Sequence, residues 1–188
     1  MRTFIAIELP QHITAALGNV QKTLKSSKLK IRWVQPENIH LTLKFLGDTP
    51  PEAIDPINRT LSESVRGYDP ISLSAKGSGA FPGIKNPRVI WVGLSGQVPR
   101  LKALQKTLAE NLAALGYEME KRTFKGHLTL GRIKGAVDPV KLNAALNEVM
   151  AFQTEPFLVD RIFLFQSDLK PTGPVYTKIA SAALAPSL

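Results

Sequence analysis

The sequence predicts an α+β fold of two pseudo-symmetric lobes, each an antiparallel-type sheet with helices on its outer face and a cleft between the sheets. Three observations predict it. Strand-like and helix-like segments follow one another in the same order twice. The tetrapeptide His40-Leu41-Thr42-Leu43 returns 87 residues later as His127-Leu128-Thr129-Leu130. A proline-started helix precedes each copy, opening 30 residues before His40 and 28 before His127. Parallelism of this kind marks duplicated supersecondary units. We expect one bilobed domain over residues 1–188, with approximate repeats 1–80 and 87–165 and a C-terminal strand 174–184 closing the fold. A chain of this size buries roughly 70% of its unfolded surface and needs no staples.

The elements of the first half follow from periodicity. Residues 3–9 are β-branched and apolar and read as a buried strand. Pro10 stands where a helix can start without losing a hydrogen bond, and Ile13, Leu17, Val20 and Leu24 follow at helical spacing. Residues 30–34 alternate as a strand that Pro36 stops. Ile39 to Leu46 is a further strand, closed by Gly47-Asp48. Pro50-Pro51 opens a second helix with Ile54, Ile57, Leu61 and Val65 on one face. Residues 71–75 alternate as a strand with one wet face.

The second half repeats this order. Residues 88–94 read as a buried strand. Pro99 opens a helix whose stripe is Leu101, Leu104, Leu108, Leu112 and Leu115, with Gly116 as its C-cap. Residues 117–124 read as a strand, and Gly126 to Arg132 as the next. Asp138-Pro139 caps and starts a helix with Leu142, Ala145, Leu146 and Val149 inward. Residues 157–165 and 174–184 supply the last strands.

Composition narrows the function. There is no cysteine, which removes disulfides, thiolate metal sites and cysteine nucleophiles and suits a reducing compartment. No apolar run reaches the roughly 18 residues that cross a membrane, and the apolar start carries Glu8 and runs into Pro10, unlike an export leader. A cytoplasmic protein with no membrane partner is expected, and no feature calls for a partner chain, so we expect a monomer. The net charge is +9, from 24 basic and 15 acidic side chains. Residues 1–94 hold 12 basic and 7 acidic groups and residues 95–188 hold 12 and 8, so no basic tail carries the excess. The folded surface must present it, and a polyanion such as nucleic acid is the usual partner.

On a strand, residues i and i+2 share one face. In each motif the histidine and threonine therefore point one way and the two leucines point into the helix-covered core. Pseudo-twofold symmetry then brings two imidazoles and two hydroxyls to one cleft. One histidine can take a proton while the other gives one near neutral pH. Threonine hydroxyls can donate to phosphate oxygens. No nucleophile with its own base is present, so water or a substrate hydroxyl must attack. Phosphodiester cleavage by acid–base catalysis fits, and a strained cyclic phosphodiester fits best. A metal site is the rival use of paired histidines, but no Asp, Glu or second histidine stands at ligand spacing, so neither metal nor other cofactor is expected. His12, the third histidine, has no threonine two residues on and is left out. Lys44 lies on the His40–Thr42 face by alternation, where it is expected to meet substrate phosphates or simply to rim the cleft. Trp33 and Phe45 are candidates to stack a base, although alternation puts Phe45 with the leucines.

The chain resembles the two-histidine phosphoesterase superfamily, and within it the RNA 2′,3′-cyclic phosphodiesterases, also called 2′-5′ RNA ligases. The likeness runs over nearly the whole chain. Residues 2–7, 33–47, 79–82, 87–91, 124–132 and 173–176 carry it, the paired His-x-Thr-x (HxTx) motifs most specifically. It implies hydrolysis of terminal RNA 2′,3′-cyclic phosphate to 2′-phosphate, with reversible 2′-5′ joining of RNA ends. It also implies His40 as proton donor, His127 as proton acceptor, Thr42 and Thr129 as phosphate-binding hydroxyls and Arg132 as a substrate-binding residue. From the residues alone the donor and acceptor roles stay open, because the site is nearly symmetric. Strict alternation turns Arg132 away from His127, so a bulge or strand end is expected near Gly131. The family's proline before the second histidine is replaced here by Gly126. Two alternatives remain: a nucleotide cyclic phosphodiesterase or 2′-5′ oligonucleotide phosphodiesterase using the same four residues, and an RNA-binding module that holds phosphate without turnover.

Overall fold

The computed structural model describes residues 1–186, so the last two residues of the expected domain lie outside the described part. The strands are β1 (Arg2–Glu8), β2 (Ile31–Trp33), β3 (His40–Asp48), β4 (Ile71–Phe81), β5 (Val89–Gly96), β6 (Leu128–Ile133), β7 (Phe157–Val159), β8 (Arg161–Lys170) and β9 (Gly173–Ala183). The α-helices are α1 (Gln11–Lys25), α2 (Ile54–Ser64), α3 (Val98–Ala113) and α4 (Pro139–Glu148). Asp138 caps α4 by accepting from the Val140 backbone N–H. Gly116 takes φ +91° just beyond α3, the left-handed conformation that ends a helix.

The strands form one antiparallel sheet in the order β7-β4-β5-β6-β3-β1-β8-β9, with β2 added on β6. This order reads the same from both ends if β5 is matched with β1, β4 with β8 and β7 with β9. The pseudo-twofold passes between β6 and β3, which meet at a single pair, Leu41 opposite Leu128. The two expected sheets are thus joined through one pairing.

The lobes do not coincide with the halves of the sequence. β4 pairs with β5 and β7, while β8 pairs with β1 and β9. The helices cross over in the same way. α1 packs beside α4, and α2 beside α3, where α3 also meets β3 and α2 meets β9. Each lobe is therefore backed by one helix from each half.

The leucines of both motifs lie in the core between sheet and helices. Leu41, Leu128 and Leu130 are fully buried and Leu43 nearly so, among Leu17, Leu101 and Leu104. Burial of each such side chain is worth about 1.5–3 kcal/mol. This greasy face fixes the strand register and leaves the histidine face turned away from the core. The expected strand over residues 117–124 does not form. That segment instead approaches β3 through the Lys44 amine, which donates to the Glu118 carbonyl at 2.6 Å. Leu115, expected on the α3 stripe, is exposed beyond the end of the helix.

Candidate active site

His40 opens β3 opposite Glu8, and Thr42 lies opposite Ala6. His127 directly precedes β6, and Thr129 lies opposite Trp91. Because β3 and β6 touch at Leu41 and Leu128, the residues flanking those leucines fall on the other side of the sheet. His40, Thr42, His127 and Thr129 accordingly line one cleft of about 780 Å³. Phe4, Phe45, Arg32, Arg132 and Tyr176 line it as well.

Both imidazoles are held by the same device. Nδ1 of His40 lies 2.8 Å from the Asn38 carbonyl oxygen, and Nδ1 of His127 lies 2.7 Å from that of Lys125. A carbonyl can only accept, so each Nδ1 carries the proton and Nε2 is the nitrogen left to exchange one. The carbonyl comes from two residues upstream in each case, so the device belongs to the repeat.

The surroundings of the two rings differ. Phe4 stacks on His40 with centroids 4.8 Å apart and planes 28° from parallel. Tyr176 meets His40 edge-on, at 5.3 Å and 89°. Burial among these rings pushes the His40 pKa down from the ordinary value of 6.5, with the Asn38 carbonyl acting in the opposite direction. Among the described residues His127 has a single aromatic partner, Phe81, edge-on at 4.9 Å. Burial pushes the Tyr176 hydroxyl up from 10.0, and the Arg132 charge pulls it partly back. Tyr176 thus remains a phenol that can donate a hydrogen bond, in contact with His40 and within the field of Arg132.

Beyond each threonine the register breaks. In β6, Thr129 pairs with Trp91 but Gly131 pairs with Ile90, leaving Leu130 as an extra residue. Arg132 then falls opposite Val89 and faces the cleft, through the irregularity expected near Gly131. The glycine is required there, since a Cβ would come within 2.5 Å of Ile31 Cγ2. In β3, Thr42 pairs with Ala6 but Lys44 pairs with Ile5, leaving Leu43 as the extra residue.

This second bulge corrects the expectation for Lys44. Opposite Ile5, a core residue, Lys44 leaves the His40–Thr42 face. It is only 5% exposed and bonds the Glu118 carbonyl, with the Glu120 carboxylate at 3.8 Å. Phe45 moves the other way, opposite Phe4, and stands 62% exposed in the cleft. Trp33 also lines the cleft, while its ring packs over Gly131 and lies within reach of Lys25 on α1.

Sequence reasoning did not single out three cleft residues, Phe4, Arg32 and Tyr176. Arg32 pairs directly with Arg132 across β2 and β6, on the same face. Alternation along residues 30–34 could have found it. Tyr176 belonged to the resemblance over residues 173–176 but no period placed it in the cleft, because its place is set by the β8–β9 hairpin. Among the described residues no three His, Cys, Asp or Glu side chains come together as a metal site. Gly126 is closely packed: a Cβ there would lie 3.0 Å from Leu94 Cδ1 and 3.3 Å from Leu101 Cδ2. Among the described residues no helix is long and apolar enough to cross a membrane.

Comparison with known proteins bears on this cleft. The family described as LigT like phosphoesterase matches the chain twice, over residues 7–91 and 92–176. A Methanothermobacter thermautotrophicus protein named RNA 2′,3′-cyclic phosphodiesterase is 33% identical over 177 residues, 94% of this chain and 95% of its own. An Archaeoglobus fulgidus protein of the same name is 36% identical over 179 residues, 94% and 96% of the two chains. The crystal structure of TT0787 from Thermus thermophilus superposes with a TM-score of 0.79 at 27% identity, over 98% of both chains. Escherichia coli LigT complexed with 3′-AMP shares the fold at a TM-score of 0.79 and 23% identity, again over 98% of both.

Proposed function

The chain belongs to the LigT like phosphoesterase family, and from that membership we propose that it hydrolyses the terminal 2′,3′-cyclic phosphate of RNA to a 2′-phosphate. The observation that carries the reading is the pair of imidazoles lining one cleft, each with Nδ1 bound to a carbonyl and a threonine on the same strand face. The relatives' shared name supports the substrate class.

In the proposed reaction a water oxygen attacks phosphorus while His127 Nε2 takes its proton. The bond from phosphorus to the ribose 3′-oxygen breaks, and His40 Nε2 protonates that oxygen. The products are a 2′-phosphomonoester and a 3′-hydroxyl. Thr42 and Thr129 donate to the non-bridging oxygens, where charge accumulates. Arg132 and Arg32 attract phosphates of the RNA, and Phe45 offers an exposed ring to a base. A 5′-hydroxyl in place of water gives 2′-5′ joining by the same proton transfers. No step calls for a metal, and the absence of cysteine supports a cytoplasmic setting. We expect the enzyme to act as a monomer.

The test is incubation with an oligonucleotide ending in 2′,3′-cyclic phosphate, with identification of the monoester formed. Release of 2′-phosphate that survives a strong chelator is expected. Turnover of free cyclic nucleotides or 2′-5′ oligonucleotides alone would move the assignment within the family, and binding without turnover would leave an RNA-binding module.

A further inference from the structure

The two bulges that aim Arg132 and Phe45 each leave an extra residue, Leu130 and Leu43, whose side chain is buried. The carbonyls of these two residues share a feature. Gln21 on α1 donates its side-chain amide to the Leu130 carbonyl at 2.9 Å, and to the neighbouring Val34 carbonyl at 2.7 Å. Gln105 on α3 donates its amide to the Leu43 carbonyl at 3.2 Å. The pattern is crossed. The first helix of each half reaches the bulge in the motif strand of the other half. Gln21 is 1% exposed, a polar side chain in the core whose amide hydrogen bonds go to that strand and its β2 neighbour.

We infer that Gln21 and Gln105 are positioning residues, which hold the bulges and so aim Arg132 and Phe45 into the cleft. This rests on the reading of the cleft as the catalytic site. Successive residues of a strand point to opposite faces. With the bulge, the third residue after each threonine lies on the threonine face; without it, alternation sends that residue to the helix side. A bulge removes a carbonyl from the regular ladder, and a buried carbonyl needs a donor. The Leu130 carbonyl also accepts from the Val34 backbone N–H at 2.9 Å, so Gln21 gives it a second donor and ties it to the Val34 carbonyl, while Gln105 gives the Leu43 carbonyl a donor from α3. Without the glutamine each bulge loses a bond that holds it, and the strand can slide back to regular pairing, at the expense of the aim of Arg132 or Phe45. The threonines precede the bulges and keep their places, so substrate binding weakens more than the chemical step.

The test uses Gln21→Met and Gln105→Met, which keep length and remove the donor, each alone and combined with Arg132→Ala or Phe45→Ala. Turnover of a cyclic-phosphate oligonucleotide by the unaltered protein is measured first. Gln21→Met is expected to raise KM about tenfold, the equivalent of removing one hydrogen bond to the substrate, with kcat changed much less. In the Arg132→Ala background it should add nothing further, while its effect stays additive with Phe45→Ala. Gln105→Met should show the reverse pattern. Simple destabilisation would not produce this crossed selectivity. Additivity of both glutamine variants with both cleft variants, or an unchanged KM, overturns the inference. Gln105 is only partly buried, so its arm decides the question if Gln21→Met does not fold. If the unaltered protein shows no turnover, the reading of the site fails. The inference is then decided by crystal structures of the variants. Pairing of Gly131 with Ile90 after Thr129 with Trp91, or of Lys44 with Ile5 after Thr42 with Ala6, should disappear; retention of both overturns it.

Discussion

Phe45 and Arg132 stand at the same place in the two repeats, five residues after the histidine of each motif, and both line the cleft. One is an exposed aromatic ring and the other a guanidinium. The site is symmetric in its histidines and threonines and asymmetric in these two. The bulges at Leu43 and Leu130 make both residues face inward, and the difference in side chain gives the cleft a direction.

Removing these side chains should therefore have different consequences. Arg132→Ala should raise KM about tenfold for oligonucleotides ending in cyclic phosphate and flatten its salt dependence, since it takes a cation away from the RNA phosphates. Phe45→Ala should raise KM by an amount that varies with the terminal base and little with salt, because stacking of one base is worth about 1–3 kcal/mol. Steady-state kinetics on four oligonucleotides that differ in the last base, at two ionic strengths, reads both effects. Matching salt responses in the two variants would remove the asymmetry.

The two histidines should also separate by leaving group. His40→Ala and His127→Ala should each lower kcat by about 10²–10⁴ on the ordinary substrate. With sulfur in place of the bridging 3′-oxygen, the leaving thiolate needs no proton. His40→Ala should then regain most of its activity and His127→Ala should not. Rescue of His127→Ala alone would exchange the two roles.

Burial lowers the His40 pKa below 6.5, and the sign of the effect can be followed in two ways. As proton donor, His40 must be protonated in the free enzyme. The alkaline fall of kcat/KM should then lie below the ordinary histidine range, and an anionic substrate in the cleft should move the same limb of kcat upward. Folding stability responds as well. A folded-state pKa below the unfolded value means that the unfolded chain binds more protons between the two. The contribution from neutral His40 is complete above about pH 6.5 and is lost as the pH falls through the folded value. Denaturant melts of the unaltered protein and of His40→Gln between pH 5 and 8 should show a weaker acid-side decline in the variant. Parallel curves would contradict it.

Lys44 should matter for folding and little for turnover. It sits on the core side of β3 and ties the segment after α3 to the sheet through the Glu118 carbonyl. Lys44→Ala should lower stability by about 0.5–1.5 kcal/mol, the net worth of that hydrogen bond, and kcat/KM at a temperature well below the melt should stay within about threefold of the unaltered protein. A tenfold drop in kcat/KM in a fully folded variant would return Lys44 to the substrate.

The sequence by itself determined that the two histidines and two threonines share one face. Alternation in each HxTx motif suffices to put imidazole and hydroxyl on one side and two leucines on the other, because that pattern is local and the buried leucines lock it. Periodicity likewise predicts most of the strands and all four α-helices. Gly131, a residue without a Cβ in the middle of a strand, announced the irregularity that aims Arg132. No such residue marks the bulge at Leu43, so Lys44 and Phe45 exchange faces relative to simple alternation. The exchange depends on which β1 residue pairs with which β3 residue, and a slip of one residue inverts every side chain that follows. The assignment of strands and helices to lobes, the crossed glutamines and the place of Tyr176 were also decided by the tertiary structure. Each depends on interactions between segments far apart in the chain, which no local period encodes.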